Sequence, residues 1–121
     1  MKQYTDESQT AKLIELGFEK PSSIASVEPI YGMGGISVVK AYTIGELIEM
    51  LPMTIADEIW WGEEKGEEGV WGLRIDTNGT EFMWTVSYER DHSAHLYLEG
   101  RTELIDALYD MILQLKEEGV I

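Results

Sequence analysis

The residues best suited to chemistry lie in one segment, Tyr88–His95, which holds both histidines of the chain. Asp91, His92 and His95 combine carboxylate and imidazole, which can ligate Zn²⁺ or Ni²⁺, and the histidine spacing can direct two ligands to one ion. The alternative interpretation is a polar turn with exposed histidines. A zinc site needs three or four protein ligands, and the chain has no cysteine and no third histidine. We therefore favour the turn and expect no cofactor.

A second group of polar residues lies between Gly62 and Gly69. Its four carboxylates could bind Ca²⁺ or act as an acid/base pair. The segment lacks the oxygen ligands at fixed offsets that a calcium loop requires. The sequence therefore predicts a solvated acidic loop, whose carboxylates are Glu63, Glu64, Glu67 and Glu68.

Two further features are candidates for binding another molecule. Trp60 and Trp61 are adjacent, so only one of them can face the core if they lie in a strand. The other would then begin an exposed binding surface beside the acidic loop. The alternative is that other elements of the fold cover both tryptophans. Glu103, Asp106 and Asp110 share one side of the last predicted helix. They form either an ordinary solvated face or an imitation of nucleic-acid phosphates.

Three helices are predicted from the residues that typically begin and end a helix. The first begins after Thr5 or Asp6 and ends at Gly17. Thr43 and Glu46 form a capping box at the start of the second, which Pro52 stops. The third is predicted to be capped by Thr102 and to run to about Glu118, with Gly119 after it.

The strands are predicted from alternating apolar residues. Asn78-Gly79 is a strong hairpin signal, and taking these two as the turn pairs Ile75 with Phe82, Leu73 with Trp84 and Trp71 with Val86. Short strands are expected at 24–27 and 36–39, an edge strand at 58–61, and a strand at 95–99 with Leu96 and Leu98 inward. We predict a single α+β domain, residues 1–121, in which about three helices pack on one face of an antiparallel sheet of three to five strands.

Composition limits the partners that the chain can have. The 121 residues carry 23 acids and nine bases, a formal net charge of −14. This charge opposes binding to nucleic acid or to anionic membranes but is compatible with a basic or nucleic-acid-binding protein. No apolar run approaches the roughly 20 residues that span a bilayer. The first residues also lack the basic and apolar segments of a signal peptide, so we expect a cytoplasmic protein.

Three parts of the sequence support a resemblance. They are Tyr4-Thr5 and Gln9 with Leu13–Phe18, then Ala41–Pro52, and finally Glu103–Met111 with Leu115–Gly119. In these blocks, which cover about half the chain, it resembles a group of short proteins carried by prophages and mobile elements of gut anaerobes. The group has no assigned activity, so the resemblance implies genomic context and no site residues.

The favoured hypothesis is a non-enzymatic accessory or interaction protein of a mobile element. One alternative is an acidic inhibitor that mimics nucleic acid and occupies the site of a DNA- or RNA-binding protein. It requires the acidic loop and the last helix to form one continuous surface. The other alternative is a small metal-dependent enzyme or metal binder at His92 and His95. Homodimerisation through a free face or edge of the sheet is left open.

Overall fold

The computed structural model describes residues 1–30, 32, 34–61, 64–77, 83–90 and 94–121, with the backbone alone for 57–61, 64–69, 94 and 95. The elements are α1 (Glu7–Glu15), β1 (Ile24–Ile30), β2 (Gly35–Lys40), α2 (Ile44–Met50), β3 (Thr54–Trp61), β4 (Glu64–Thr77), β5 (Trp84–Arg90), β6 (Ala94–Arg101) and α3 (Leu104–Glu117). Strands β1 and β2 form one antiparallel sheet, and the other four form a second in the order β3-β4-β5-β6. The predicted α+β class is confirmed. Within the described ranges, no helix is long and apolar enough to cross a membrane.

The first two helices begin where the capping signals predict. Asp6 Oδ1 accepts a hydrogen bond from Gln9 N at 2.8 Å, and Gln9 Oε1 accepts one from Asp6 N at 3.0 Å. Thr43 and Glu46 form the same reciprocal box at 3.1 and 3.2 Å. Gly17, which follows α1, has φ of 97°, the left-handed conformation that glycine adopts without a steric penalty.

The predicted cap of the third helix is wrong by one residue. The N-cap of α3 is Glu103, whose backbone is extended and whose side chain makes no capping hydrogen bond. Its Oε2 instead accepts a hydrogen bond from the backbone N of Lys2 at 2.8 Å. Thr102 therefore precedes the cap. The predicted end of the helix is close to the observed one, and Gly119 has φ of 75°.

Strands β4 and β5 pair as predicted, but the predicted register is wrong by four residues. Ile75 lies opposite Val86, and Leu73 lies opposite Tyr88. A shift of four keeps every side chain on its face, so the apolar alternation is equally satisfied by both registers. The predicted register would also have set Asp76 opposite Glu81, a like-charge pair that the observed register avoids. In the structure Asp76 lies opposite Thr85. The predicted turn at 78–79 lies outside the described residues.

The predicted acidic loop is also wrong. Glu64, Glu67 and Glu68 lie in the first half of β4, which pairs with β3. This pairing includes Trp61 with Glu64 and Glu58 with Glu68. Tryptophan favours strands, so the adjacent Trp60 and Trp61 extend β3, and the first residues of β4 pair with this extension. The predicted edge strand is confirmed, because β3 is the first strand of its sheet.

The hydrophobic core lies between α3 and the four-stranded sheet. Helix α3 contacts β5 and β6, and α2 packs against α3. The fully buried residues of α3 include Leu108, Met111 and Leu115, and they meet Val86 and Tyr88 of β5 in the core cluster. The Tyr88 hydroxyl donates to the carbonyl oxygen of Pro52 at 2.6 Å.

The inward placement predicted for the last strand holds for only one of its two leucines. Leu96 is partly buried and packs against the core cluster. Leu98 lies opposite Ser87 and is 54% exposed, so its predicted inward position is wrong. A register irregularity between Tyr88 and Glu89 changes the alternation here, and it puts Tyr97 opposite the buried Tyr88.

Candidate interaction surface

The carboxylates predicted as a binding surface on the last helix are held by groups of the chain itself. Lys2 Nζ lies 2.8 Å from Asp106 Oδ1, and Gln9 Nε2 donates to the same oxygen at 2.7 Å. The bond from the backbone N of Lys2 to Glu103 lies beside them. These contacts attach the N-terminal segment and α1 to the start of α3.

The electrostatics of this contact favour the charged forms of both partners. Burial by itself would raise the pKa of Asp106, but hydrogen bonds from Lys2 and Gln9, with the charges of Lys2 and Arg101, outweigh it and lower the pKa. Burial would likewise lower the pKa of Lys2, and the contacts with Asp106 and Asp6 raise it instead. Each ion therefore stabilises the other.

Arg101, the last residue of β6, holds the next carboxylate along the helix. Its Nη1 donates to Asp110 Oδ2 at 2.7 Å, and its Nη2 lies 4.0 Å from Asp106 Oδ2. Burial and the charge of Asp110 raise the pKa of Glu99, while Arg101 opposes them. The acidic side of α3 is thus part of an ion-pair network. The sequence does not predict the contacts of Lys2 and Arg101. The signal that could have identified them is the small number of bases, nine against 23 acids.

The acidic residues of β4 belong to another part of the sheet. Glu64, Glu67 and Glu68 lie on a strand that pairs with β3 and β5, whereas α3 contacts β5 and β6. The side chains of these three glutamates, and all of Glu63, lie outside the part of the chain that the structure describes. One continuous surface formed with Asp106 and Asp110 therefore stays a prediction.

The two tryptophans lie at the end of the edge strand. Trp60 is opposite Lys65, and Trp61 is opposite Glu64. Their side chains are outside the description, and the exposure of either one stays a prediction.

The segment with both histidines, Tyr88–His95, is described at its two ends, as Tyr88–Arg90 of β5 and as the backbone of Ala94 and His95 in β6. Asp91 and His92 lie outside the described residues, and the backbone of His95 lies in β6 opposite Glu89. Among the residues that the structure describes, no group of three or more histidines or carboxylates is placed to hold a metal ion. A metal site at His92 and His95 stays a prediction.

A cleft of about 390 Å³ lies beside α2 and contains further carboxylates. Glu46 accepts from Ser23 Oγ at 2.5 Å and from the Thr43 backbone at 3.2 Å. Burial would raise the pKa of Glu46, but these hydrogen bonds outweigh it and lower the pKa. Tyr42, also in the cleft, donates its hydroxyl to the carbonyl oxygen of Glu19. These polar groups join α2 to the segment after α1, and we assign no ligand to the cleft.

Comparison with protein-family models, with curated proteins and with solved structures finds no match to this chain. The functional argument therefore depends on the chain's own residues.

Proposed function

We propose that this chain is a non-enzymatic interaction protein that binds a basic protein partner. The observation that carries the proposal is the internal use of its few basic groups. Lys2, Arg74 and Arg101 each contact two carboxylates of the chain. These three cations are committed to internal pairs, and acids outnumber bases by 14 over the whole chain. Exposed carboxylates on the described surface include Glu7, Glu15, Glu19, Glu49, Glu117 and Glu118.

The physical consequence is a negative potential that reaches beyond individual contacts. Such a potential attracts a positively charged partner and raises its association rate, by roughly 10- to 1,000-fold in steered complexes. The same potential repels nucleic acid and anionic lipid, whose phosphates carry like charge. A basic protein is therefore the class of macromolecule that this surface favours.

The remaining parts of the proposal rest on the sequence. The chain shows no recognisable combination of nucleophile, base and oxyanion donor, which supports a non-enzymatic role. The resemblance to short proteins of prophages and mobile elements supports an accessory role in such an element. The partner would then be a protein of the element or of its host, met in the cytoplasm.

The experiment is affinity capture from host lysate at 50 and 500 mM NaCl, with captured proteins identified by mass spectrometry. We expect a basic protein that is captured at low salt and lost at high salt, because salt screens exposed charges. A second bait carries Glu117→Lys and Glu118→Lys, two exposed positions at the end of α3 where cations suit the helix dipole. It should capture less. An unrelated acidic protein of equal net charge shows which captures are nonspecific.

Two results would overturn the proposal. If every specific capture is insensitive to salt, charge does not select the partner. If the chain turns over a substrate and Glu89, Asp91 or a histidine is needed for the reaction, the protein is an enzyme. Capture of a nucleic-acid-binding protein that DNA or RNA displaces would favour the mimic, which is a special case of a basic partner.

A further inference from the structure

The side chain of Lys2 lies among three oxygen atoms that match its three N–H donors. Lys2 Nζ is 2.8 Å from Asp106 Oδ1, 3.1 Å from Gln9 Oε1 and 3.4 Å from Asp6 Oδ2. An ammonium group has three donors and no acceptor, so each donor has an oxygen within reach. We call the side chains of Asp6, Gln9 and Asp106 the ammonium site.

The ammonium site is held together by hydrogen bonds that do not involve Lys2. Gln9 is 8% exposed, its Oε1 accepts from Asp6 N at 3.0 Å, and its Nε2 donates to Asp106 Oδ1 at 2.7 Å. Asp6 is the N-cap of α1, and Asp106 lies in the first turn of α3. The acceptors are therefore positioned by two helices, and the site is preorganised for an ammonium group.

Lys2 itself belongs to a segment outside the helices and strands. Residues 1–3 lie in no element, and Met1 is 71% exposed. The bridge between Tyr4 and Thr43 fixes the chain directly after this segment. Besides its contacts with the ammonium site, Lys2 donates its backbone N to Glu103 Oε2 at 2.8 Å. Lys2 can therefore leave the site without breaking a helix or a strand.

Departure of Lys2 would leave a site that attracts another cation. Asp6 and Asp106 both lie within 3.4 Å of the same nitrogen atom, so their carboxylates repel each other once it leaves. Arg101 is farther away, with its Nη2 4.0 Å from Asp106 Oδ2. We propose that the ammonium site binds a lysine side chain of the basic partner, and that Lys2 is an internal competitor which this lysine displaces. The inference rests on the proposed function for the nature of the partner.

The geometry favours lysine over arginine. Asp106 Oδ1 already accepts from Gln9, and Asp106 Oδ2 is on the side of Arg101. The carboxylate therefore does not offer both oxygens for the two parallel hydrogen bonds that a guanidinium group makes best. Trimethylation of a lysine removes all three N–H donors. The expected ligand is an unmodified lysine on an exposed segment.

The first test replaces the ammonium group of Lys2 by a small molecule. Lys2→Ala removes three carbons and a nitrogen, which are the heavy atoms of propylammonium. The Tm of this variant should be about 3 to 5 °C higher in 100 mM propylammonium chloride than in 100 mM tetramethylammonium chloride, which has the same charge and no N–H donor. The Tm of the wild type should differ by less than about 1 °C, because Lys2 occupies the site.

Three further variants test the specificity of this response. Lys12→Ala makes the same substitution and the same change of net charge at an exposed pair 3.9 Å long, and should respond like the wild type. Asp106→Asn in the Lys2→Ala background should abolish the response, because it removes the charge that accepts the shortest bond. Asp6→Asn in that background keeps a side chain that can cap α1 and should reduce the response. It decides the question if the Asp106→Asn variant does not fold.

The second test measures the competition. Nα-acetyl-lysine N-methylamide is titrated into the protein, and binding is followed by NMR of the Gln9 side-chain amide. The dissociation constant should be about fivefold lower for Lys2→Ala than for the wild type, since the competitor has been removed. The arginine and trimethyl-lysine compounds should bind Lys2→Ala more weakly, by about threefold or more.

The results that would overturn the inference are specific. Stabilisation of Lys2→Ala by propylammonium that tetramethylammonium equals, or that Lys12→Ala shows to the same extent, would mean that there is no ammonium site. Equal affinity of the lysine compound for Lys2→Ala and the wild type would mean that Lys2 does not compete. Both tests use the purified chain, so their failure leaves the salt-sensitive capture of a basic protein standing. Failure of that capture would likewise leave the binding of ammonium compounds unchanged.

Discussion

Replacing Lys2 by Met tests whether the N-terminal ion pair stabilises the fold. Met keeps an unbranched apolar stem and removes the ammonium group that lies 2.8 Å from Asp106. A hydrogen bond to a charged group contributes about 1.5 to 3 kcal/mol when buried, and an exposed ion pair about 0 to 1 kcal/mol. The two side chains are 28% and 15% exposed, between these limits. We therefore expect a loss of about 1 to 1.5 kcal/mol in the free energy of unfolding.

The assay is thermal unfolding followed by circular dichroism or calorimetry. With an unfolding entropy of about 2.1 cal/mol/K per residue, the expected loss lowers the Tm by about 4 to 6 °C. Lys12→Met is the matched control, because it makes the same substitution in a pair with Glu15 that is 3.9 Å long and more exposed. Its Tm should change by less than about 2 °C. Equal shifts for the two variants would refute the reasoning.

The pH dependence of the same variant gives a second check. The pKa of Asp106 is lower in the folded state, so its contribution is present above the unfolded pKa of about 3.9 and is lost as the pH falls through the folded value. The raised pKa of Lys2 adds stability that is kept until the pH passes its ordinary value of 10.5. The gap between wild type and Lys2→Met should stay constant from about pH 5 to 9 and shrink in acid.

Three further predictions concern stability, each measured by urea unfolding. Thr43→Ala removes a capping box and should lower the free energy of unfolding by about 1 kcal/mol. Thr102→Ala, which precedes the cap of α3, should lower it by less than about 0.5 kcal/mol. The reverse order would contradict the observed cap. Tyr88→Phe should lower the free energy of unfolding by about 1 to 2 kcal/mol, because it removes the hydrogen bond to Pro52. Burial also raises the pKa of Tyr88 to about 12, so an ultraviolet titration should show no ionisation of this residue below pH 10. Glu99→Gln should stabilise the protein at pH 7 but not at pH 3. The pKa of Glu99 is raised in the folded state, so its contribution to stability falls as the pH rises through that pKa. No gain at pH 7 would contradict the raised pKa.

Local signals predicted the elements of this fold better than their pairing. Thr43 and Glu46 form their capping hydrogen bonds within one turn, so sequence spacing alone locates the start of α2, whereas the start of α1 is predicted only as Thr5 or Asp6. The register of β4 with β5 depends on contacts between residues up to 17 apart, such as Gly72 with Glu89. Apolar alternation repeats every two residues and cannot distinguish registers that differ by an even number.

The candidate site was least predictable where distant residues meet. The sequence places Asp106 on an acidic helix face, but its partners Lys2 and Gln9 are 104 and 97 residues away. Sequence spacing along a helix carries no information about such contacts. The early part of β4 was predicted as a loop because charged residues are depleted in strands. Pairing with β3 overrides that preference, since the partner strand supplies its backbone hydrogen bonds.

The two-stranded sheet of β1 and β2 shows how composition and exposure together define a surface that neither defines alone. The sequence predicts strands at 24–27 and 36–39, and valines and isoleucines in strands usually indicate core. Only the structure shows that Val27, Ile36 and Val38 are exposed on a sheet separate from the core. Residues 24–40 contain one acid, Glu28, and one base, Lys40, so these exposed aliphatic side chains lie where the net charge of −14 is absent.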